Sequence, residues 1–142
     1  MKNSYVNRIQ QLELNIGYVY RNKMNAFQAI THSSYAYEHR PEAISSNERL
    51  EFLGDSVLNF IITNRLYKEA SDMPEGEMSK LRASVVSEAS LSNCARQLKL
   101  GEVLLLGKGE ELMGGRQRSS ILADAMEAII GSIYLDGGLE AA

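Results

Sequence analysis

A chain of 142 residues, 44% hydrophobic and 23% charged, is sized and balanced for one water-soluble domain with a core of its own. Its one cysteine, Cys94, excludes an internal disulfide and fits a reducing, cytoplasmic setting; no apolar run reaches membrane-spanning length, and Met1-Lys2-Asn3-Ser4 does not lead into the apolar core of a signal peptide. The net charge of −3 gives no global sign of a nucleic-acid partner, although that count misleads where acids gather around cations.

In chain order, nearly every periodic segment is helical, which makes the expected fold class all-α. Tyr5, Val6, Ile9 and Leu12 predict a first helix, and Phe27, Ala29 and Ile30 a second, with Ile16-Gly17-Tyr18-Val19-Tyr20 as a loop with aromatic anchors between them. The polar run Thr31-His32-Ser33-Ser34-Tyr35 ends the second helix. His32 has no paired nucleophile nearby, so it is read as a hydrogen-bonded structural histidine in preference to a catalytic base. A polar loop from Glu38 to Ser46 follows, and Ser45 with Glu48 three residues on forms a capping box for the next helix.

That next helix runs from Asn47 to about Ala70. At about 100° per residue, Leu50, Leu53, Val57, Phe60 and Ile61 gather on one side, and Glu48, Glu51 and Asp55 on the other. Phe52, Leu58 and Ile62 share the acidic side. A face mixing three carboxylates with three large apolar groups is expected to be covered, and repelling carboxylates under cover need a cation.

Ser71-Asp72-Met73-Pro74-Glu75-Gly76 is a turn, with a helix starting near Glu77 and Leu81, Val85 and Val86 facing inward. Another begins at Ser87-Glu88, carries Cys94 as a buried thiol between Leu91 and Leu98, and closes at Gly101 as a left-handed C-cap. Val103 to Leu106 is the one strand-like piece. Gly107-Lys108-Gly109 and Gly114-Gly115-Arg116-Gln117-Arg118 bracket a flexible basic loop, which lacks the spacing and the Ser or Thr of a P-loop. Ser119 or Ser120 caps a last long helix, Ile121 to Leu135, with Leu122, Met126, Ile129 and Ile133 toward the core. Asp124 and Glu127 share a face with the small residues Ala128 and Gly131, which would let a neighbouring helix approach closely. Asp136-Gly137-Gly138 stops it, and Leu139-Glu140-Ala141-Ala142 reads as the first turn of a further helix.

Two helices distant in sequence thus each present carboxylates on one face. Packed together, Glu48, Glu51 and Asp55 with Asp124 and Glu127 would offer four or five oxygen ligands. With no Cys or His pair, that set suits Mg²⁺ or Mn²⁺ over zinc, and such ions serve phosphate chemistry. From spacing alone, two solvated acidic helix faces account for the pattern equally well.

The segment Asn47-Glu48-Arg49-Leu50-Glu51-Phe52-Leu53-Gly54-Asp55-Ser56-Val57-Leu58 resembles the signature of the ribonuclease III family. Thr31–Tyr35, Pro74–Ala83, Gly107–Glu110 and Ile121–Gly131 resemble the family's other blocks, in the expected order and over nearly the whole chain. The resemblance implies an all-helical, homodimeric endonuclease domain, over residues 1–142, that cuts double-stranded RNA with Mg²⁺ (Mn²⁺ as a substitute) in rRNA and mRNA processing. Products would carry 5′-phosphate and 3′-hydroxyl ends. It implies no role for a membrane or a small-molecule substrate.

By position in the motifs, Glu51, Asp55, Asp124 and Glu127 match the family's central active-site acids, with Glu51, Asp124 and Glu127 as metal ligands. Glu48 and Glu77 match two acids near the scissile phosphate, and Phe52 matches the aromatic of the dimer contact. Lys80, Arg82, Lys108, Arg116 and Arg118 are candidate contacts to the RNA backbone, though each is equally well read as a solvated surface charge. The family's usual double-stranded-RNA-binding domain is not in this chain and the closing helix looks truncated, which is expected of a piece excised from a longer protein. A non-catalytic RNA-binding module is the competing expectation, but such a module would be expected to lose some of these acids, and all six are present.

Overall fold

The computed structural model describes residues 2–142. Asn3–Ile16 forms α1, which ends where Gly17 turns left-handed (φ 72°) and its N–H reaches the Glu13 carbonyl. Lys23–Ile30 forms α2, capped by the Asn22 side chain, which accepts from the Met24 N–H at 3.0 Å. Ser33–Glu38 is α3, Glu48–Glu69 is α4, Glu75–Val85 is α5 and Glu88–Gln97 is α6. Two short helices, α7 (Leu100–Val103) and α8 (Lys108–Leu112), lead to α9, Ser119–Gly137. The all-α expectation holds; β structure among the described residues is limited to one parallel bridge, Thr31 to Leu105.

The fold is assembled around α9. Ten of its residues are buried, and α4, α6 and α2 pack along it. Ile9, Leu12, Ile30, Leu100, Leu104, Leu122 and Ile129 are fully enclosed in one core. Each such side chain contributes about 1.5–3 kcal/mol of burial, so this core outweighs any surface ion pair, at about 0–1 kcal/mol each, in holding α1 and α2 on α9. The N-terminal segment is also tied down by polar contacts. Asp136, at the end of α9, accepts from Tyr18 Oη (2.6 Å), the Arg21 and Asn22 N–H groups (2.8 Å each) and Asn25 Nδ2 (3.1 Å).

Several local expectations are corrected. Asn47, not Ser45, occupies the N-cap of α4, and its side chain is buried as a donor to the Ala29 carbonyl. The left-handed residue after α6 is Lys99 (φ 55°); Gly101 lies inside α7, where a Cβ would meet the Arg116 carbonyl oxygen at 2.5 Å. Cys94 is exposed, because Leu91, Ser92 and Ala95 form the inward face of α6. On α5, Leu81 and Val85 are exposed and Val86 half-buried; the helix packs lightly, against α4 and α6.

Arg118, not Ser119 or Ser120, is the N-cap of α9, and Ser119 Oγ accepts from Arg96. The basic loop is structured: Arg116 donates to the Gly101 and Leu104 carbonyls and pairs with Glu111, and Arg118 pairs with Glu110. Val103–Leu106 forms only the single bridge, with Leu105 taking the Ile30 carbonyl and giving its own carbonyl to His32 N–H. Phe60 is exposed, because α9 covers the stripe Leu50, Gly54, Val57 and Leu58. The last residues form turns without a further helix.

Candidate active site

The site is built where α4 crosses α9. Helices carrying ordinary side chains keep their axes about 8–10 Å apart, and small residues allow closer approach. Here Gly54 meets the backbone of α9 so closely that a Cβ would stand 1.7 Å from the Glu127 carbonyl oxygen. From the other side, a Cβ on Gly131 would stand 2.5 Å from the Leu50 carbonyl oxygen. Ala128 is fully buried in the same contact zone, so the small-residue expectation for α9 is met.

Close approach puts two carboxylate rows together. One oxygen each from Glu51, Asp124 and Glu127 can be chosen so that all three lie within 4.8 Å of one another. Asp55, one turn beyond Glu51, sits against Glu127 and is exposed toward solvent. Asn59 Nδ2 donates to the Asp55 carbonyl at 2.8 Å and to its carboxylate at 3.4 Å. The three clustered acids are half-buried.

The electrostatics follow from burial and like charge. Burial first, then Asp124, raises the Glu51 carboxyl to about 7. Burial, then the hydrogen bond and charge of Asp55, raises Glu127 to about 8. Asp124 is also raised, mainly by burial, although its hydrogen bond with Glu51 works against the shift. With no cationic side chain among the described residues of the cluster, it holds protons at neutral pH that ordinary carboxyls release. Three hard oxygen donors that repel one another, with neither His nor Cys among them, are a donor set that fits a hard divalent cation.

The remaining predicted residues fall outside the three-acid cluster. Glu48, exposed in the first turn of α4, acts through space on Glu51. Glu77 is exposed in the first turn of α5, outside the three-acid cluster. Phe52 is 81% exposed on α4. Lys80 and Lys108 are exposed and outside the described ion pairs. Arg82 donates to Thr63 Oγ1 at 2.9 Å, and Arg116 and Arg118 hold the α8–α9 connection. Two acids not singled out from sequence act on the cluster's neighbourhood through space: Glu88 of α6 on Asp124, and Glu110 of α8 on His32. Glu110 lies in the Gly107–Glu110 block and Glu88 at a helix start, but neither signal marks a site acid, since their placement is set by tertiary packing.

Comparison with known proteins matches this arrangement to one family. The Ribonuclease-III-like family model covers residues 22–142. The chain belongs to that family. A Ribonuclease 3 of Caldanaerobacter subterraneus subsp. tengcongensis is 56% identical over 130 residues, which are 92% of this chain and 57% of the relative. One of Oceanobacillus iheyensis is 52% identical over 132 residues, 93% of this chain and 58% of the relative. The chain therefore spans a little over half the length of these curated relatives. The nuclease domain of ribonuclease III from Campylobacter jejuni superposes with a TM-score of 0.85 at 41% identity, covering 93% of this chain and 88% of that one. That structure is described as flexible in a region involved in dimer formation. A second structure of the same domain gives a TM-score of 0.84 at 41% identity, over 99% of this chain and 88% of that one.

Proposed function

We propose that this chain is the catalytic domain of a divalent-metal-dependent endoribonuclease that hydrolyses phosphodiester bonds of double-stranded RNA. In this reading it leaves 5′-phosphate and 3′-hydroxyl ends, acts as a homodimer, and serves rRNA and mRNA processing in the cytoplasm. The observation that carries the reading is the meeting of Glu51 and Asp55 from α4 with Asp124 and Glu127 from α9. Membership of the ribonuclease-III-like family and the names of its relatives support it.

Glu51, Asp124 and Glu127 would hold Mg²⁺, with Mn²⁺ as a substitute. When bound, the cation supplies activation of a water and charge stabilisation at the leaving 3′ oxygen. The chain's own residues do the rest. The two helix rows fix the three ligand oxygens, so little ordering is left for the moment of binding. Asp55, hydrogen-bonded to Glu127, holds or moves a proton at that carboxylate. Glu48 and Glu77 add negative charge at the rim, near the position of the scissile phosphate.

Duplex RNA is read mainly by shape and by its sugar and phosphate oxygens. Lys80, Arg82 and Lys108 are exposed or half-buried cations suited to that contact, while Arg116 and Arg118 would reach it only by leaving their ion pairs. Phe52, left open on the helix that carries Glu51, is the proposed dimer contact. The test of the site is Glu127→Gln. It is expected to abolish duplex cleavage at low salt and ample Mg²⁺ while leaving the helical circular-dichroism spectrum unchanged. Full activity in that variant contradicts the assignment.

A further inference from the structure

The Thr31–Tyr35 segment does more than end α2. Its His32 is the N-cap of α3, and the ring nitrogen Nδ1 accepts from the Ser34 backbone N–H at 3.1 Å. A backbone N–H only donates, so Nδ1 presents a lone pair and the ring proton sits on Nε2. A second contact is compatible with the same state. Ser34 Oγ lies 2.7 Å from Nδ1 and itself accepts from the Gly107 N–H at 2.9 Å, which leaves the hydroxyl proton for Nδ1. Gly107 is what permits this: a Cβ there would stand 2.8 Å from the Ser34 carbonyl oxygen and 2.9 Å from Glu38 Oε1. The main chain is fixed as well, with His32 N–H on the Leu105 carbonyl at 3.0 Å.

Nδ1 is thus fully used, and Nε2 is not. Among the described residues no group takes the Nε2 edge, and that atom is not enclosed. The charged groups that act on the ring through space are Glu110, Asp124 and Glu48, with Arg118 opposing them. Burial nevertheless holds the imidazole below its usual range, so the ring is neutral at physiological pH in spite of three neighbouring acids.

We propose that His32 is a further substrate-binding residue of this site, a neutral donor whose Nε2–H contacts a phosphate or sugar oxygen of the RNA backbone. This rests on the nuclease reading. The Nε2 edge can only donate, so its partner must be an acceptor, and an oxygen of the RNA backbone supplies one. A neutral donor engages a phosphate oxygen without competing with a cation for Glu51, Asp124 and Glu127. An imidazolium or a lysine in that position would compete. Capping alone requires only the Nδ1 acceptor, which Asn provides equally well.

The last point supplies the test. His32→Asn keeps an acceptor for the Ser34 N–H and removes the Nε2 donor. The variant is expected to retain the wild-type melting temperature and Mn²⁺ affinity, and to raise KM for a perfect RNA duplex about tenfold, the loss of one hydrogen bond to a charged acceptor. Its duplex Kd in Ca²⁺ should rise by the same factor, with kcat changed much less. Long-range ¹H–¹⁵N spectra of the wild-type chain provide a second readout with an internal control. His39 Nδ1 faces the Tyr35 carbonyl at 3.0 Å and must donate, so His39 should show the Nδ1–H tautomer and His32 the Nε2–H tautomer. Wild-type KM and Kd in His32→Asn, an Nδ1–H or charged His32, or a matching loss of Mn²⁺ affinity would each overturn the proposal. If the wild-type chain neither binds nor cuts duplex RNA, the nuclease reading falls first and takes this one with it. If the wild type cuts and His32→Asn cuts equally well, only this inference falls.

Discussion

Gly54 of α4 and the main-chain carbonyl of Glu127 on α9 are in backbone contact, with room for no side chain: a Cβ would overlap the oxygen at 1.7 Å. This contact sets the height at which Glu51 and Asp55 meet Asp124 and Glu127. The nearest atoms are backbone on both helices, so relief requires the helices to separate.

Gly54→Ala is therefore expected to destabilise the fold by at least the usual overpacking cost, about 1–3 kcal/mol. Replacing a mid-helix Gly by Ala otherwise favours the helix by roughly 0.5–1 kcal/mol, so propensity and packing predict opposite signs. Urea denaturation decides between them. The variant should have a lower midpoint and a weaker thermal response to Mg²⁺, because the ligand rows are pushed apart. A midpoint at or above wild type would mean that the two helices are not locked at this crossing.

A second prediction concerns pH. Glu51 and Glu127 carry folded-state values of about 7 and about 8, against 4.5 for an ordinary glutamate. Below about pH 4.5 both carboxyls are protonated in folded and unfolded chains alike, so their protonated form is fully compatible with the fold. As pH rises from there through about 8, the unfolded chain releases these protons readily and the folded chain only against repulsion. The metal-free protein should lose stability across that window. Asp136 adds no slope there: although burial opposes it, its four donors hold it down to about 2, so it is already ionised.

On the proposed reading Mg²⁺ would bind the deprotonated cluster, so the rise in melting temperature on adding it should be small at about pH 5.5 and large at about pH 8.5. Glu127→Gln should raise the metal-free melting temperature at the higher pH while flattening the response to Mg²⁺. Calorimetry with and without the ion checks both. A metal-free melting temperature that climbs across this window, with an equal Mg²⁺ increment throughout, would contradict the cluster's reading.

The third prediction follows from Phe52, which is 81% exposed one residue from Glu51. If two copies cover this ring, Phe52→Ala removes about 1.5–3 kcal/mol of burial per copy and raises the dimer dissociation constant at least about tenfold. Sedimentation velocity over a concentration series would show the shift, with duplex cleavage falling in parallel. An unchanged dimer would remove Phe52 from the interface.

Much of this was legible in the sequence because the relevant signals are local. The i, i+3 and i+7 acids of α4 and the Asp124–Glu127 pair beside Ala128 and Gly131 are one-face patterns, and one face of each helix does meet the other. What was not legible depends on partners far along the chain. Nothing near Lys99 announces that it, and not Gly101, turns left-handed; Gly101 serves a different need, because the Arg116 carbonyl leaves no space there for a Cβ. Cys94 reads as buried from its apolar neighbours, but one position of helical rotation puts Ala95 inside in its place. Arg116 and Arg118 read as free cations because Glu110, Glu111 and the Gly101 and Leu104 carbonyls reach them only in the folded chain. His32 was legible as hydrogen-bonded, while the contact that holds its Ser34 partner comes from the Gly107 N–H, far along the chain.

The most direct measurement for the central claim is incubation of an end-labelled, perfectly paired RNA duplex with the wild-type chain, in titrations of Mg²⁺ and of Mn²⁺, with end-group analysis of the products. The account predicts internal cuts on both strands, strict dependence on the divalent ion, 5′-phosphate and 3′-hydroxyl termini, and no cutting by Glu127→Gln. A duplex that is bound yet stays intact across both titrations would contradict it, as would cutting that survives removal of the ion.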